Sequence, residues 1–162
     1  MKQVENCYIG GYILVNNYPA WWDKTLTIYN KFTDPQTRVI KWYRTVIPNC
    51  FWKYTGNKIT VGATVLETND TICRIPKNDN FLERYQWVNL SNDEMPKFFT
   101  LGSGDIIACG EIEDEINEYA QGMRSSDFVT KHKQLQGCMV VNKVAINIGK
   151  GLGTEHYYAR GV

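Results

Sequence analysis

The sequence predicts a mainly β fold: a small antiparallel β-barrel or sandwich with one or two short helices and an N-terminal arm. Three observations carry that expectation. Aromatic residues make up 13% of the chain, and its use of Trp, Tyr, Ile, Val and Thr favours half-buried pleated strands. Short runs of alternating polarity recur along the whole length, separated by Pro, Gly, Asn and Asp turn signals. Helical periodicity is confined to a few brief stretches. With 162 residues, 43% of them hydrophobic and 22% charged, the chain can bury one core and is too apolar for disorder.

The elements follow in order. Residues 1–22 end in Tyr18-Pro19-Ala20-Trp21-Trp22. They read either as an arm docked through Trp21 and Trp22 or as the first strands of the barrel, since arm and strand look alike at this length. We divide the chain into an arm over 1–22 and a barrel domain with a C-terminal extension over 23–162. Residues 24–32 alternate, with Leu26, Ile28 and Phe32 on one face. Residues 38–46 answer with Ile40, Trp42 and Val46 on one face and Val39, Lys41 and Tyr43 on the other. Asp34-Pro35-Gln36-Thr37 between them is a turn with Pro at its second position.

A second hairpin is expected from residues 50–54 and 58–66, joined by Thr55-Gly56-Asn57; Ile59, Val61, Ala63 and Val65 alternate cleanly. Residues 71–75 predict a short strand stopped by Pro76. Residues 86–90, 97–101 and 105–112 continue the series, with Gly102-Ser103-Gly104 as a tight connection. Ser126 predicts the cap of a helix over 127–136, which presents Phe128 and Leu135 and stops at Gly137. Residues 78–85 and 91–95 suit a turn or two of helix. Residues 138–148 set Val140, Val144, Ile146 and Ile148 against Asn142, and 156–162 form the last strand. The inward faces then predict a core of Ile28, Ile40, Trp42, Val61, Ala63, Val65, Ile106 and Ile146.

Charge and cysteine usage exclude several classes. A net charge of +1 argues against a basic nucleic-acid coat, while leaving room for a few phosphate contacts. No apolar run approaches the roughly 18 to 20 residues of a membrane span, and the N-terminus lacks signal-peptide architecture. The expectation is a soluble protein, intracellular at synthesis, with no membrane partner. Cys7, Cys50, Cys73, Cys109 and Cys138 are odd in number, scattered and without a CxxC, so they read as reduced, buried thiols rather than zinc ligands.

No motif for chemistry emerges. His132 sits beside Lys131 and Lys133 on what reads as a solvated helix face, and His156 adjoins Tyr157 and Tyr158; neither has a nucleophile in a recognisable setting. The acidic run Glu111, Glu113, Asp114, Glu115 and Glu118 fits no calcium loop and reads as a solvated or partner-facing edge. Gly149-Lys150-Gly151-Leu152-Gly153 resembles a phosphate loop, but a strand follows it where a helix is needed, so it reads as a connector. Trp42, Tyr43, Trp52 and Tyr54, interleaved with Lys41, Arg44 and Lys53, offer a base-stacking surface; cross-strand packing in a hairpin explains them better. The expected lists of catalytic, cofactor-binding and metal-binding residues are therefore empty.

The order of segments carries a resemblance. Thr27-Ile28-Tyr29 lies in an opening strand, and Asn49-Cys50-Phe51-Trp52 forms an aromatic-rich turn. Cys73-Arg74-Ile75-Pro76 ends a further strand, and Gly104-Asp105-Ile106-Ile107-Ala108-Cys109-Gly110-Glu111 closes the core. Over residues 24–148 this layout resembles the head-tail connectors of tailed-phage necks, in particular the head-closure or stopper proteins of prophages. The resemblance implies a small antiparallel barrel that assembles as a homo-oligomeric ring between portal or adaptor and tail, closes the head and retains DNA. It implies a location in the virion neck, reached through the host cytoplasm. It implies as partners the portal or adaptor protein, the tail terminator and packaged DNA through limited non-specific contact. Residues 1–22 and the glycine-rich C-terminal segment exceed a minimal stopper, which keeps a tail terminator or other tail-side ring open.

On that reading, two polar loops are candidates to face DNA: Thr55, Gly56, Asn57 and Lys58, and Glu67, Thr68, Asn69 and Asp70, the second running on to Thr71. Lys58 can meet a phosphate, whereas Glu67 and Asp70 suit a plug that repels DNA. Tyr18, Trp21, Trp22, Tyr157 and Tyr158, with Tyr8 and Tyr12, are candidates to be covered by ring neighbours, because a free arm exposes less apolar surface than this. Two readings of other classes compete: a carbohydrate-binding β-sandwich using Trp21, Trp22, Trp42 and Trp52, and a small hydrolase using the 111–118 acids with His156.

Overall fold

The computed structural model describes residues 7–9, 12–15, 18–119, 122–149 and 154–162, with 7–9, 12–15, 57–59 and 65–69 described by their backbone. The strands are β1 (Cys7–Ile9), β2 (Tyr12–Val15), β3 (Tyr18–Pro19), β4 (Lys24–Thr33), β5 (Ile40–Val61), β6 (Thr64–Pro76), β7 (Ile106–Cys109), β8 (Cys138–Asn147) and β9 (His156–Gly161). Helices α1 (Arg84–Trp87) and α2 (Ser125–Leu135) and a 3₁₀ turn at Met95–Lys97 complete them. None of the helices described is long and apolar enough to cross a membrane. Six strands close an antiparallel barrel in the order β4-β5-β6-β9-β8-β7, and β1, β2 and β3 form a separate three-stranded sheet. The expected fold class is the observed one.

The first hairpin forms as its turn chemistry predicts. The Asp34 carboxylate accepts the N–H groups of Gln36 (2.8 Å) and Thr37 (2.9 Å), and β4 pairs with β5 from Thr33↔Ile40 inward. The 22-residue β5 then belongs to two sheets: Ile40 to Cys50 pair with β4, and Phe51 to Val61 pair with β6. Its change of partner falls at Asn49, which holds a left-handed φ of +58°, a conformation Asn tolerates better than most residues.

Alternation along the barrel strands builds two cores. Leu26, Ile28, Ile47, Cys73, Ile75, Ile107, Met139, Val141 and Ala159 fill the interior, with Phe99, Leu101 and Tyr157. The opposite faces of β4, β7 and β8 supply Tyr29, Ile106, Ala108 and Cys138, which α2 covers through Phe128 and the following-loop residues Ile112 and Ile116 complete. Residues 26–30 are therefore buried without a break, on both sides of the sheet. The Tyr29 ring meets Phe128 edge-on at 4.7 Å, and its hydroxyl donates to the Asp114 carbonyl at 2.6 Å. Burial pushes that phenol up to about 12.

Several sequence expectations need correction. Of the predicted core, Ile28 and Ile106 are buried and Ile40 and Trp42 are partly so, but Val61 is 59% and Ile146 40% exposed, and Ala63 is exposed too. Val61 and Ala63 lie at the end of a hairpin that runs past the barrel, so their alternation has no interior to face; the side chain of Val65 lies outside the description. Residues 86–90 are not a strand. Glu83 and Gln86 cap one another reciprocally and start α1, which buries Trp87 against Phe32 and Tyr43. Residues 97–101 leave the 3₁₀ turn as extended chain that makes an isolated bridge, Phe99 with Phe81.

Ser126 lies inside α2 and does not cap it, but Gly137 ends the helix as expected, with φ +100° and its N–H on the His132 carbonyl at 3.0 Å. His132 is not on a solvated face: it is buried on the Phe128 ring. Residues 156–161 form the last strand of the barrel, as expected. Gly161 sits where β9 passes so close to β8 that a Cβ would stand 2.1 Å from the Val140 carbonyl oxygen. The glycine run at 149–153 is described only at Gly149, whose N–H donates to the Glu155 carboxylate at 2.8 Å.

Candidate functional site

The most distinctive feature grows out of the barrel wall. β9 ends at Gly161 opposite Thr71, and β4 begins at Lys24 opposite Cys50. Past those points, among the described residues, β5 and β6 pair only with each other. Seven pairs from Thr55↔Asp70 to Val61↔Thr64 continue without a register shift. At about 3.4 Å per residue they carry a two-stranded ribbon some ~20 Å beyond the closed sheet. Gly62 (φ +62°) and Ala63 turn the ribbon, with glycine at the first central position as a type II′ turn requires.

This corrects both proposed loops. Thr55, Gly56, Asn57 and Lys58 are strand residues, and they face Asp70, Asn69, Thr68 and Glu67 in register. The two candidate segments are the two sides of one ribbon. Gly56-Asn57 reads as a turn by composition, but the extended pairing prevails: a Cβ on Gly56 would lie 3.3 Å from the Tyr54 ring, which covers the glycine. The side chains of Asn57, Lys58, Glu67, Thr68 and Asn69 lie outside the description.

The root of the ribbon is clamped by side chains. Arg160 of β9 forms an ion pair with Asp70, and the Thr55 hydroxyl donates to the Asp70 carbonyl at 2.9 Å. The Arg74 guanidinium lies 5.1 Å from the Phe51 ring centre. On the other face Trp52, Tyr54 and Thr71 meet Gln136, Gly137 and Val162 around a cleft of about 420 Å³. Trp52 and Tyr54 therefore flank this cleft, whereas Trp42 lies toward α2 and donates its indole N–H to Glu118 at 3.0 Å. The aromatic-basic stretch is split between two regions and forms no single stacking surface.

The candidate interface aromatics are also divided. Tyr18 stacks on Trp22 at 5.2 Å, donates to the Glu155 carbonyl at 2.9 Å and accepts the Lys77 N–H at 2.9 Å. Trp22 is buried with its ring 5.6 Å from His156, and Tyr157 is buried in a 3.8 Å stack with Phe81. Both are thus covered by their own chain, which corrects their assignment to a neighbour. Tyr158 is half-buried, and Trp21 remains 48% exposed. The side chains of Tyr8 and Tyr12 lie outside the description. Trp22 packs on Phe51 and His156 of the barrel, as the docked-arm reading expects.

The acidic run is split by Ile112 and Ile116, which are buried and turn Glu111, Glu113 and Glu115 outward. Asp114 instead turns to α2, accepting from Lys131 at 2.6 Å and from His132 Nε2 at 2.9 Å, and Lys131 above all holds its carboxyl below the ordinary range. The other ring nitrogen, Nδ1, lies 2.8 Å from the Gln136 side-chain amide. His156 is likewise occupied, between the Thr154 carbonyl at 2.6 Å and Asn147 at 3.1 Å. Among the described residues no group of three or more His, Cys, Asp or Glu is placed to hold a metal ion.

Sequence reasoning passes over the buried polar centre that joins β4, α1 and the start of β7. Asp105, fully buried, accepts from Asn30 Nδ2 (2.8 Å), the Lys31 N–H (2.9 Å) and the Gly102 N–H (2.9 Å), and both its oxygens lie 3.0 Å from Arg84 Nη1. Burial pushes this carboxyl up while Arg84 pulls it down. The available signal was the acid itself, set between Gly104 and the apolar Ile106-Ile107-Ala108, where an unpaired charge is too costly to keep.

A family model described as a family of unknown function (DUF6751) matches residues 21–162. No curated protein and no solved structure matches the chain. The matched span takes in the whole barrel, the ribbon, Trp21 and Trp22, and leaves out β1, β2 and β3.

Proposed function

The chain belongs to the DUF6751 family, and from the form of its barrel we propose that it is a structural protein of the tailed-phage neck, forming a head-closure ring. The observation that carries the reading is the two-stranded ribbon, which extends a polar, seven-pair arm away from a rigid closed barrel. A ring of such barrels presents one arm per subunit at the same height, and repetition multiplies a weak contact with DNA or protein. The resemblance of segment order supports the same assignment, with portal or adaptor on one side and tail on the other. The near-neutral charge suits a subunit whose contacts are mainly with proteins and which holds DNA by obstruction. On this reading the protein works in the virion neck, is not an enzyme, and reaches its place from the host cytoplasm.

A tail terminator or other tail-side ring is the second reading, because it would use the same barrel and arm. The carbohydrate-binding reading loses its basis: it needs Trp21, Trp22, Trp42 and Trp52 as one exposed platform, and they are dispersed, with Trp22 buried. The hydrolase reading loses its base, since both nitrogens of His156 are engaged.

The test is a phage carrying a shortened ribbon, with residues 57–68 replaced by Asn-Gly. Electron microscopy of tailless heads and nuclease sensitivity of their DNA are the readouts. Head closure predicts assembled necks that leak DNA. Full heads with defective tail joining would transfer the assignment to the tail side, and normal infectious particles would remove the ribbon from any neck function.

A further inference from the structure

We propose that the ribbon is an intermolecular β-element: its β6 edge pairs with the β5 edge of a second copy of this chain, joining subunits head to tail. The inference takes its partner from the ring reading above, and it concerns how the copies meet.

Both edges of the ribbon are open backbone. From Thr55 to Val61 on one side and from Thr64 to Asp70 on the other, no further strand is hydrogen-bonded among the described residues. Each edge offers seven residues, so the two match in length. The pairing is free of register shifts throughout, and neither segment contains a proline. Proteins usually protect an exposed edge by bulging it, shortening it, placing proline on it or charging it; here only charge is present, of opposite sign on the two edges, Lys58 on one and Glu67 and Asp70 on the other. A two-stranded ribbon alone in water is also only marginally stable; a third strand is what ordinarily sustains it.

The direction of pairing follows from geometry and charge. When two copies stand side by side with their ribbons pointing the same way, β6 of one runs antiparallel to β5 of the next. The ladder then continues with the same sense as inside each hairpin. Residues 55–61 of β5 carry Lys58 and no acid. Residues 64–70 of β6 carry Glu67 and Asp70 and no base, Asp70 also holding Arg160 of its own chain. Joining β5 to β5 or β6 to β6 sets like charges together, which destabilises cross-strand pairs; β6 to β5 sets opposite charges together. Contacts of this heterologous kind repeat in one direction and close when the rotation per subunit closes.

The test uses the full chain and the variant in which Asn-Gly replaces residues 57–68, both followed by native mass spectrometry and amide hydrogen exchange. In an antiparallel ribbon every second N–H bonds to the partner strand and the alternate set points outward. The expected result is a discrete oligomer of the full chain in which the outward amides of 55–61 and 64–70 exchange about 100-fold more slowly than in a dilute monomer. The shortened variant should be a folded monomer by near-UV circular dichroism. An oligomer of unchanged size from the shortened variant, or an oligomer of the full chain whose outward amides exchange freely, overturns the pairing and leaves the ring intact. A full chain that stays monomeric at every concentration overturns both. If the shortened variant fails to fold, the exchange pattern of the full chain alone decides.

Discussion

Replacing Arg84 with Met should expose how much of the barrel depends on one buried charge. Asp105 is fully buried, and Arg84 supplies the positive charge touching it, with a side chain that is itself 35% exposed. Removing one partner of a buried ion pair costs about 3 to 5 kcal/mol. The three remaining donors, from Asn30, Lys31 and Gly102, still hold the carboxylate, and solvent already reaches part of the guanidinium. The low end, about 3 kcal/mol at neutral pH, is therefore expected. With a urea slope near 2 kcal/mol/M, the unfolding midpoint should fall by about 1.5 M.

The pH dependence gives a second readout from the same variant. Burial already raises the Asp105 carboxyl, and loss of Arg84 removes the strongest influence that lowers it. The folded state then binds a proton that the unfolded state gives up, in the window between the ordinary carboxylate value and the raised one. Stability relative to wild type should be regained as pH falls through that window. Adding Asp105→Asn to the variant should likewise restore part of the loss. A midpoint unchanged at neutral pH, or a deficit that acidification leaves untouched, would refute the placement of this pair at the centre of the fold.

Four other substitutions and treatments follow. Gly161→Ala drives a methyl into the Val140 carbonyl and should cost about 1 to 3 kcal/mol or more, read as a lowered melting temperature. Gly62→Ala meets open space and should cost only about 1 kcal/mol through its positive φ; equal losses at the two sites would contradict the close approach. Tyr29→Phe leaves the Asp114 carbonyl without its donor and should lower stability by about 1 kcal/mol in denaturant titration. Burial raises the thiols of Cys50, Cys73 and Cys138, so a thiol reagent at pH 8 should label them only on unfolding; rapid native labelling of any of the three would show the barrel to be open.

How far the sequence discloses this fold depends on where alternation has something to face. The first hairpin was legible because Asp34 and Pro35 write a turn in the chemistry of their own side chains. Strand β7 was legible as part of the apolar stretch 105–112, and β8 by the alternation of Val140, Val144 and Ile146 against Asn142. The ribbon was not: its residues alternate as cleanly as any in the chain, but no interior lies beneath them, and Gly56-Asn57 resembles a turn more than Gly62-Ala63 does. His132 was misplaced because two lysines flank it in sequence, and only the fold brings Asp114 against both it and Lys131. The Arg84–Asp105 pair spans 21 residues with a helix and a 3₁₀ turn between them, a distance over which local pattern says nothing. The docking of Tyr18 on Glu155, 137 residues apart, is of the same kind.

The continuity of β5 and β6 has a mechanical consequence. Each strand passes from the ribbon into the barrel wall without a loop, β5 through Asn49 to Ile40 and β6 to Pro76. A push on the turn at Gly62 is therefore carried as axial load along two peptide backbones into the barrel wall, where β6 is paired on both sides by β5 and β9 and β5 passes from β6 to β4. The hydrogen bonds there lie across the load and resist it together, in shear. A sideways pull on one strand at the turn instead peels the ribbon pair by pair, beginning with Val61↔Thr64. The arm is thus stiff along its length and weak when prised apart at its end, so the direction of an applied force decides whether it acts as a strut or opens as a zipper.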